Sequence, residues 1–358
     1  MKILIVGDVH WSTYSSIVRS RGKKYSTRLE NLIDSVNWAE RMADEENCDR
    51  IIYLGDFFDK ADLTAEEITA LTEIKWSNKH HTLIMGNHES NISTLEYSSA
   101  FTLLSKKFEI INKIRMEDMS DDNNGMQFVY IPYTKEENRK DTIKDLTNYL
   151  MSNENKTIVF SHNDLKIRYG MYESKQGYDL KDIEDNCDLF INGHIHNGAF
   201  VNFKQTIVNM GNLTGQNFSE DASTYAHNIG ILDTDKLTLD FIINPYAFNF
   251  YKFEINKEND IIDNLNTLET NAVLAIKCKN NLTEELQKAL DYHKEKITAC
   301  RITVYYDETL NSKETTDLKL NNVDHLTQFK NFTLNVFEQE KEKYDLNIVK
   351  EELELICA

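Results

Sequence analysis

The chain has 358 residues and carries 59 Asp and Glu against 40 Lys and Arg, a formal charge of −19. At ~150 residues per domain, that length allows two or three domains, or one large α/β unit with an appendage. An apolar content of 41% excludes a disordered acidic polymer, and the charge argues against a protein that grips nucleic acid unaided.

Lys2–Val6 is a buried strand that stops at Gly7-Asp8. Residues 26–46 place Leu29, Leu32, Ile33, Val36, Ala39 and Met42 at helical spacing. Arg50–Leu54 reads as a second strand, Ala65–Lys79 as a helix and Thr82–Met85 as a third strand. A strand at Phe128–Ile131, a helix at Lys140–Met151 and strands at Thr157–Phe160 and Asp188–Ile191 continue the alternation. Short strands follow at Ala199–Phe203, Thr206–Asn209, Ile229–Asp233 and Leu237–Ile242. Near Asn244–Phe250 the pattern breaks, and Ala272–Ile276, Thr283–Lys294 and Thr298–Tyr306 read strand, helix, strand. Beyond Lys313 the tail reads as short amphipathic helices. The apolar runs fall far short of the ~20 residues that span a bilayer, and the first run is too short for a secretory signal. A soluble, cytoplasmic protein with no membrane association is expected. Cys48, Cys187, Cys278, Cys300 and Cys357 form no CxxC pair, so neither a disulfide framework nor a structural zinc site is expected.

The strand ends carry the chemistry. In order they are Gly7-Asp8-Val9-His10, Gly55-Asp56-Phe57-Phe58-Asp59, Gly86-Asn87-His88-Glu89, Ser161-His162 and Gly193-His194-Ile195-His196. Loops beyond the carboxyl ends of strands are where open sheets place ligands. Carboxylate, imidazole and amide form the mixed donor set that holds Mn, Fe or Zn. Singly each motif reads as a turn or a satisfied polar group; five in one chain, all at strand ends, point to one metal site. Trp11, next to His10, reads as rim packing or as a platform for a base.

These motifs resemble those of the calcineurin-like metallophosphoesterases, whose pattern is D-x-H, G-D-x-x-D, G-N-H-[ED], a single His and G-H-x-H. The resemblance covers residues 1–235. It implies an α/β fold, a four-layer αββα sandwich, with two divalent metal ions. Asp8, His10, Asp56 and His196 would hold one metal, and Asp56, Asn87, His162 and His194 the other. Two metals ~3.5–4 Å apart hold a hydroxide at neutral pH and clamp the phosphate. His88 would then meet the phosphate and protonate the leaving oxygen or stabilise the transition state, with Asp59 hydrogen-bonded to it.

The arginines that grip a phosphomonoester in the protein phosphatase branch are missing here. Several details instead resemble the SbcD-type DNA repair nucleases: the start Met1-Lys2-Ile3-Leu4, Arg28-Leu29-Glu30 on the first helix, and Gly55-Asp56-Phe57-Phe58-Asp59. Gly211-Asn212-Leu213 stands where that family has a Gly-Ser-Pro-like loop. The resemblance implies a Mn2+-dependent DNA exonuclease and endonuclease subunit of an SbcCD-like recombination and repair complex. Its partners would be DNA, an SbcC-like coiled-coil ATPase and a second copy of the chain. Residues 1–248 would be the nuclease domain, 249–312 a small α+β capping domain for DNA recognition, and 313–358 a helical partner-docking tail. Arg19, Arg21, Lys23, Lys24 and Arg28 form a basic cluster that would touch backbone phosphates, with Lys166 and Arg168 beyond His162. Two alternatives stay open: a stand-alone metallophosphodiesterase acting on a nucleotide or other small phosphoester, and a catalytically idle scaffold. The second is disfavoured because every ligand position is filled.

Overall fold

A computed structural model describes residues 1–15, 23–60, 62–90, 104–119, 125–150, 156–169 and 172–305. Along the chain, strand β1 (Lys2–Val6) is followed by helix α1 (Thr27–Glu45), β2 (Arg50–Tyr53), α2 (Ala65–Leu71), β3 (His80–Ile84) and a single helical turn, α3 (Asn87–Ser90). Next come β4 (Phe108–Ile111), β5 (Arg115–Asp118), β6 (Met126–Ile131), α4 (Glu136–Leu150) and β7 (Lys156–Ser161). Two-residue strands β8 (Arg168–Tyr169) and β9 (Tyr172–Glu173) precede α5 (Leu180–Glu184), β10 (Leu189–Asn192), β11 (Ala199–Phe200) and β12 (Ile207–Asn209). The described chain closes with β13 (Asn228–Asp233), β14 (Thr238–Ile243), β15 (Asn249–Ile255), α6 (Glu258–Leu265), β16 (Ala272–Lys279), α7 (Thr283–Tyr292) and β17 (Ile297–Tyr305).

Period-two alternation on the central strands builds the layers. Ile3 and Ile5 of β1, with Ile52 and Leu54, face Phe128, Tyr130, Ile158, Phe160 and Ile191 in a core between two sheets. Leu4 and Val6, one residue out of step, turn to the opposite face and pack under Leu29, Leu32 and Val36 of α1. On the far side, Val129, Val159 and Phe190 are covered by Leu146 of α4 and Ile183 of α5. Helix, sheet, sheet, helix is therefore the order of layers, as expected. One sheet runs β14-β13-β1-β2-β3-β4 and the other β11-β12-β10-β7-β6-β5. In both, the central strands are parallel, so their carboxyl ends emerge together.

A charged clamp joins the sheets. Arg50 on β2 donates from both guanidinium ends to Glu117 on β5, at 2.9 and 2.8 Å, and Tyr130 adds a bond at 3.0 Å. The Arg50 bonds hold the Glu117 carboxyl below its ordinary range. A depressed folded-state value means the bridge contributes above the ordinary glutamate pKa and is lost as pH falls through the depressed one. Glu117→Gln is expected to lower stability by about 1 kcal/mol at pH 7, given its partial exposure. In urea unfolding, the gap from wild type should close in acid; a gap that persists there would assign the loss to packing.

Three boundaries differ from expectation. The helix expected over 65–79 ends at Leu71, because side chains of α1 capture the amides that would continue it. Asn37 accepts from the Lys75 N–H at 2.6 Å and Glu40 from the Ser77 N–H at 2.9 Å. The strand expected over 199–203 keeps only Ala199–Phe200. Just past the break at Asn244–Phe250, β15 and α6 precede the expected strand, helix and strand, and β15-β16-β17 form a three-stranded parallel sheet with its own apolar core. Phe250 packs edge-on against Phe218 of the loop after β12. The tail 313–358 lies outside the described residues.

Candidate metal centre

Each motif sits where its strand runs out. Asp8 and His10 follow β1, Asp56 follows β2, Asn87 and His88 open α3 after β3, His162 follows β7, and His194 and His196 follow β10. Two glycines make the approach possible. A Cβ at Gly86 would stand 2.1 Å from the Asp56 carboxylate, and one at Gly55 would stand 2.4 Å from the His162 ring, where the backbone φ is +115°. His10, Asp56 and His194 adopt left-handed φ of 51°, 45° and 74°. Such conformations cost about 1–3 kcal/mol each and gather at functional sites.

The side chains converge in overlapping groups whose ligand atoms lie within 4.8 Å of one another. One is Asp8, His10 and His196; another is Asp56, His162 and His194. His10, Asp56 and His88 form a third between them. Asn87 joins the second group, its amide oxygen 2.8 Å from His194 Nδ1 and 3.2 Å from His162 Nε2. All seven expected ligand positions are thus brought together from both sheets.

The outer nitrogen of every one of these histidines faces an acceptor. His162 Nδ1 donates to the Leu54 carbonyl at 2.9 Å. His194 Nε2 lies 2.8 Å from Asp164, and His196 Nδ1 lies 3.2 Å from Glu220. His10 Nδ1 stands 3.2 Å from the Asp59 carboxylate, without the alignment of a full hydrogen bond. The other ring nitrogens are turned inward on one another and on the carboxylates, with His10 Nε2 and His196 Nε2 3.1 Å apart and His162 Nε2 3.1 Å from Asp56. Asp8 Oδ2, buried beside them, has no hydrogen-bond partner. Imidazole nitrogens, carboxylates and an amide oxygen gathered within 4.8 Å form the mixed donor set that fits divalent metal ions. The outer carboxylates fix ring tautomer and orientation, as they do around many metal-bound imidazoles.

Charge follows the same logic. Burial pushes the Asp56 carboxyl up, but His162 at 3.1 Å, with His10 and His88, outweighs it and holds the carboxyl well below the usual range. Burial lowers the His162 imidazole, while Asp56 and Asp8 raise it more, to about 9. The hydrogen bond from His194 outweighs burial at Asp164 and brings its carboxyl down to about 2. Glu89 is buried and pushed up to about 8, first by burial and then by Asp56. It nevertheless accepts from the amides of Asp56 at 3.0 Å, Phe58 at 3.0 Å and Gly86 at 2.7 Å, stapling two of the ligand loops.

His88 stands on the rim, about a third of its side chain exposed. Its Nδ1 donates to the Asp59 backbone carbonyl at 2.8 Å, which turns Nε2 toward Asp56, 4.0 Å away. The Asp59 carboxylate lies nearer His10 than His88, at 3.2 against 3.7 Å. Asp59 therefore holds His88 through its main chain and His10 through its side chain.

Within the basic cluster, the structure places Arg28 apart from the lysines. Arg28 is fully buried, where burial lowers its guanidinium to about 10, and it donates to the carbonyls of Gly215 at 2.7 Å and Val9 at 3.4 Å. A side chain enclosed in this way is out of reach of a DNA backbone. Lys24 is exposed but paired with Glu73, and Lys23 is exposed. Arg19 and Arg21 lie outside the described residues. Trp11 is buried and stacked on Phe57, with its indole N–H bonded to the Glu67 carbonyl at 3.1 Å, so it packs the rim and offers no platform to a base.

A family model, that of the calcineurin-like phosphoesterases, matches residues 1–198, more than half of the 358. The chain belongs to the calcineurin-like phosphoesterases. No curated protein matches it. Among solved structures, this phosphoesterase is similar to a dimetal phosphatase from Danio rerio, with a TM-score of 0.38 and 14% sequence identity over 68% of this chain and 99% of that one. Asp164, Glu220 and Gln216, which surround the centre, belong to none of the five motifs; only Asp164, two residues beyond His162, stood close enough in sequence to be noticed. Among the described residues, no helix is long and apolar enough to cross a membrane.

Proposed function

We propose that this phosphoesterase hydrolyses phosphodiesters with two bound divalent metals, Mn2+ first among them, and serves as the DNA nuclease subunit of an SbcCD-like complex. The convergence of His10, His162, His194 and His196 on Asp8, Asp56 and Asn87, with an acceptor behind each ring, carries the metal part of this reading. Asp8, His10 and His196 would hold one ion, Asn87, His162 and His194 the other, with Asp56 shared. When bound, such a pair of ions makes water nucleophilic at neutral pH and offsets charge on the phosphate. The chain's own contribution is orientation and a proton. His88, tethered by Asp59 through Nδ1, directs Nε2 inward, where a protonated ring can donate to the departing oxygen. A cleft of about 880 Å³ runs from His194 and His196 along Asn197 and Asp221, roomy enough for the rest of a substrate.

DNA as substrate rests on the SbcD-type motifs and on one surface. Lys252, Ala275 and Arg301 form a cross-strand row on the three-stranded sheet, with Lys277 two residues along. A cavity of about 300 Å³ lies over them, where the three cations outnumber one carboxylate, Glu254. On a chain of net charge −19, a concave cationic face suits backbone phosphates. Reversing all three charges should weaken duplex binding and lower the salt slope by about 1 for each lost contact. Unchanged affinity and slope would remove this face from the DNA reading.

The decisive assay incubates the full chain with end-labelled duplex and single-stranded DNA and Mn2+, beside Asp56→Asn. Cleavage by wild type alone supports the proposal. Brisk hydrolysis of a small phosphodiester without DNA cleavage, with or without an ATPase partner, would favour the stand-alone phosphodiesterase.

A further inference from the structure

Gln216 sits in the loop that closes over the Asp8 side of the centre and is buried. Its backbone N–H donates to Glu220 Oε2 at 2.9 Å, and its side-chain amide donates to Asp59 Oδ1 at 3.2 Å. Those two carboxylates are the ones behind His196 and His10. One residue therefore spans the outer supports of both histidines in the Asp8 group. Among the described residues nothing equivalent links the supports in the other group, where His162 rests on the Leu54 carbonyl and His194 on Asp164.

The loop is fixed from below by Arg28, whose guanidinium bonds the carbonyl of Gly215, the residue before Gln216. Glu220 and Asp59 both act electrostatically on that buried guanidinium. A buried cation offsets one buried and one partly buried carboxylate that would otherwise repel, and Gln216 supplies hydrogen bonds to both. Glu220 is further held by the Asn212 amide at 3.0 Å, so the less constrained partner is Asp59. Without the Gln216 amide, Asp59 would be free to turn from His10.

We infer that Gln216 is a positioning residue that couples His10 to His196, so that its side chain governs one metal position and leaves the other largely untouched. The inference rests on the two-metal reading above and concerns only metal binding, not the substrate. Gln216→Met keeps the volume and the backbone bond to Glu220 while deleting the side-chain amide. Gln216→Glu keeps the shape and places a like charge against Asp59.

The test titrates Mn2+ into the metal-stripped full chain by calorimetry and follows the spin-coupled dinuclear signal by electron paramagnetic resonance. Wild type should bind two ions and show the coupled signal. Gln216→Met should weaken one site by 10–100-fold, the range for loss of a partner behind a metal-bound imidazole. The other site should stay within about twofold, and at intermediate Mn2+ the signal should be mononuclear. Gln216→Glu should weaken the same site further. Equal weakening of both sites, or of neither, would overturn the inference and leave the two-metal reading standing. A wild-type chain that binds a single ion would overturn that reading, and the inference with it. Unchanged circular dichroism and thermal midpoint in the stripped variants separate the expected result from misfolding.

Discussion

Asp56→Asn is expected to abolish phosphodiester hydrolysis while leaving the fold intact. The substitution preserves shape, and an amide oxygen can still accept from the His88 N–H, which now reaches Asp56 Oδ1 at 2.9 Å. It removes the negative charge that stands 3.1 Å from His162 and lies between the two ligand groups. Both metal positions should weaken together, in contrast to the one-sided loss expected at Gln216. Metal-assisted charge stabilisation is worth several kcal/mol, which corresponds to a loss on the order of 10³-fold or more. Metal content and hydrolysis measured on the same preparation check this. Full metal occupancy with wild-type turnover would remove Asp56 from the centre.

The second large effect is expected at His88. His88→Gln should lower kcat by about 10²–10⁴-fold, the range for a lost general acid. Metal content should not change, because His88 lies on the exposed rim and its Nδ1 is committed to the Asp59 carbonyl. The chemistry supplies a sharper test. A DNA 3′-oxygen leaves as an alkoxide and needs a proton, whereas p-nitrophenolate leaves without one. The defect should therefore be large on DNA and small on a p-nitrophenyl diester. Equal defects on both would point to charge stabilisation at the phosphate, and lost metal would make His88 a ligand.

The five motifs were legible because the chemistry lies on the chain at the point where an apolar run stops. A glycine followed by a ligand residue marks both the end of the strand and the close approach it requires, as at Gly55-Asp56 and Gly86-Asn87. What supports the ligands was not legible. Glu220 is 24 residues from His196, and Gln216 is 157 from Asp59, so only the folded sheets bring them together. Arg28 misled for a related reason. It falls in a run of basic residues, but α1 turns it inward among Leu29, Leu32 and Val36, where carbonyls of two other loops replace water. The early end of α2 has the same origin, since the acceptors that stop it, Asn37 and Glu40, lie on another helix. In β15, Tyr251, Phe253 and Ile255 alternate with Lys252 and Glu254, but the strand gains its place only by parallel pairing with β16, a contact made across α6.

The provenance of the ligands bears on when the centre comes into being. The Asp8 carboxylate accepts from the amide of His194, 186 residues away, and β1 is flanked by β13, whose Asp233 pairs with Lys2. Contacts so distant in sequence close late in folding. During synthesis, Asp8, Asp56 and Asn87 emerge long before the imidazoles that complete their coordination. A chain that stops short of His196 lacks part of the donor set, and the centre cannot close until the second sheet has docked on the first. A phosphoesterase organised in this way keeps its chemistry silent while it is being made.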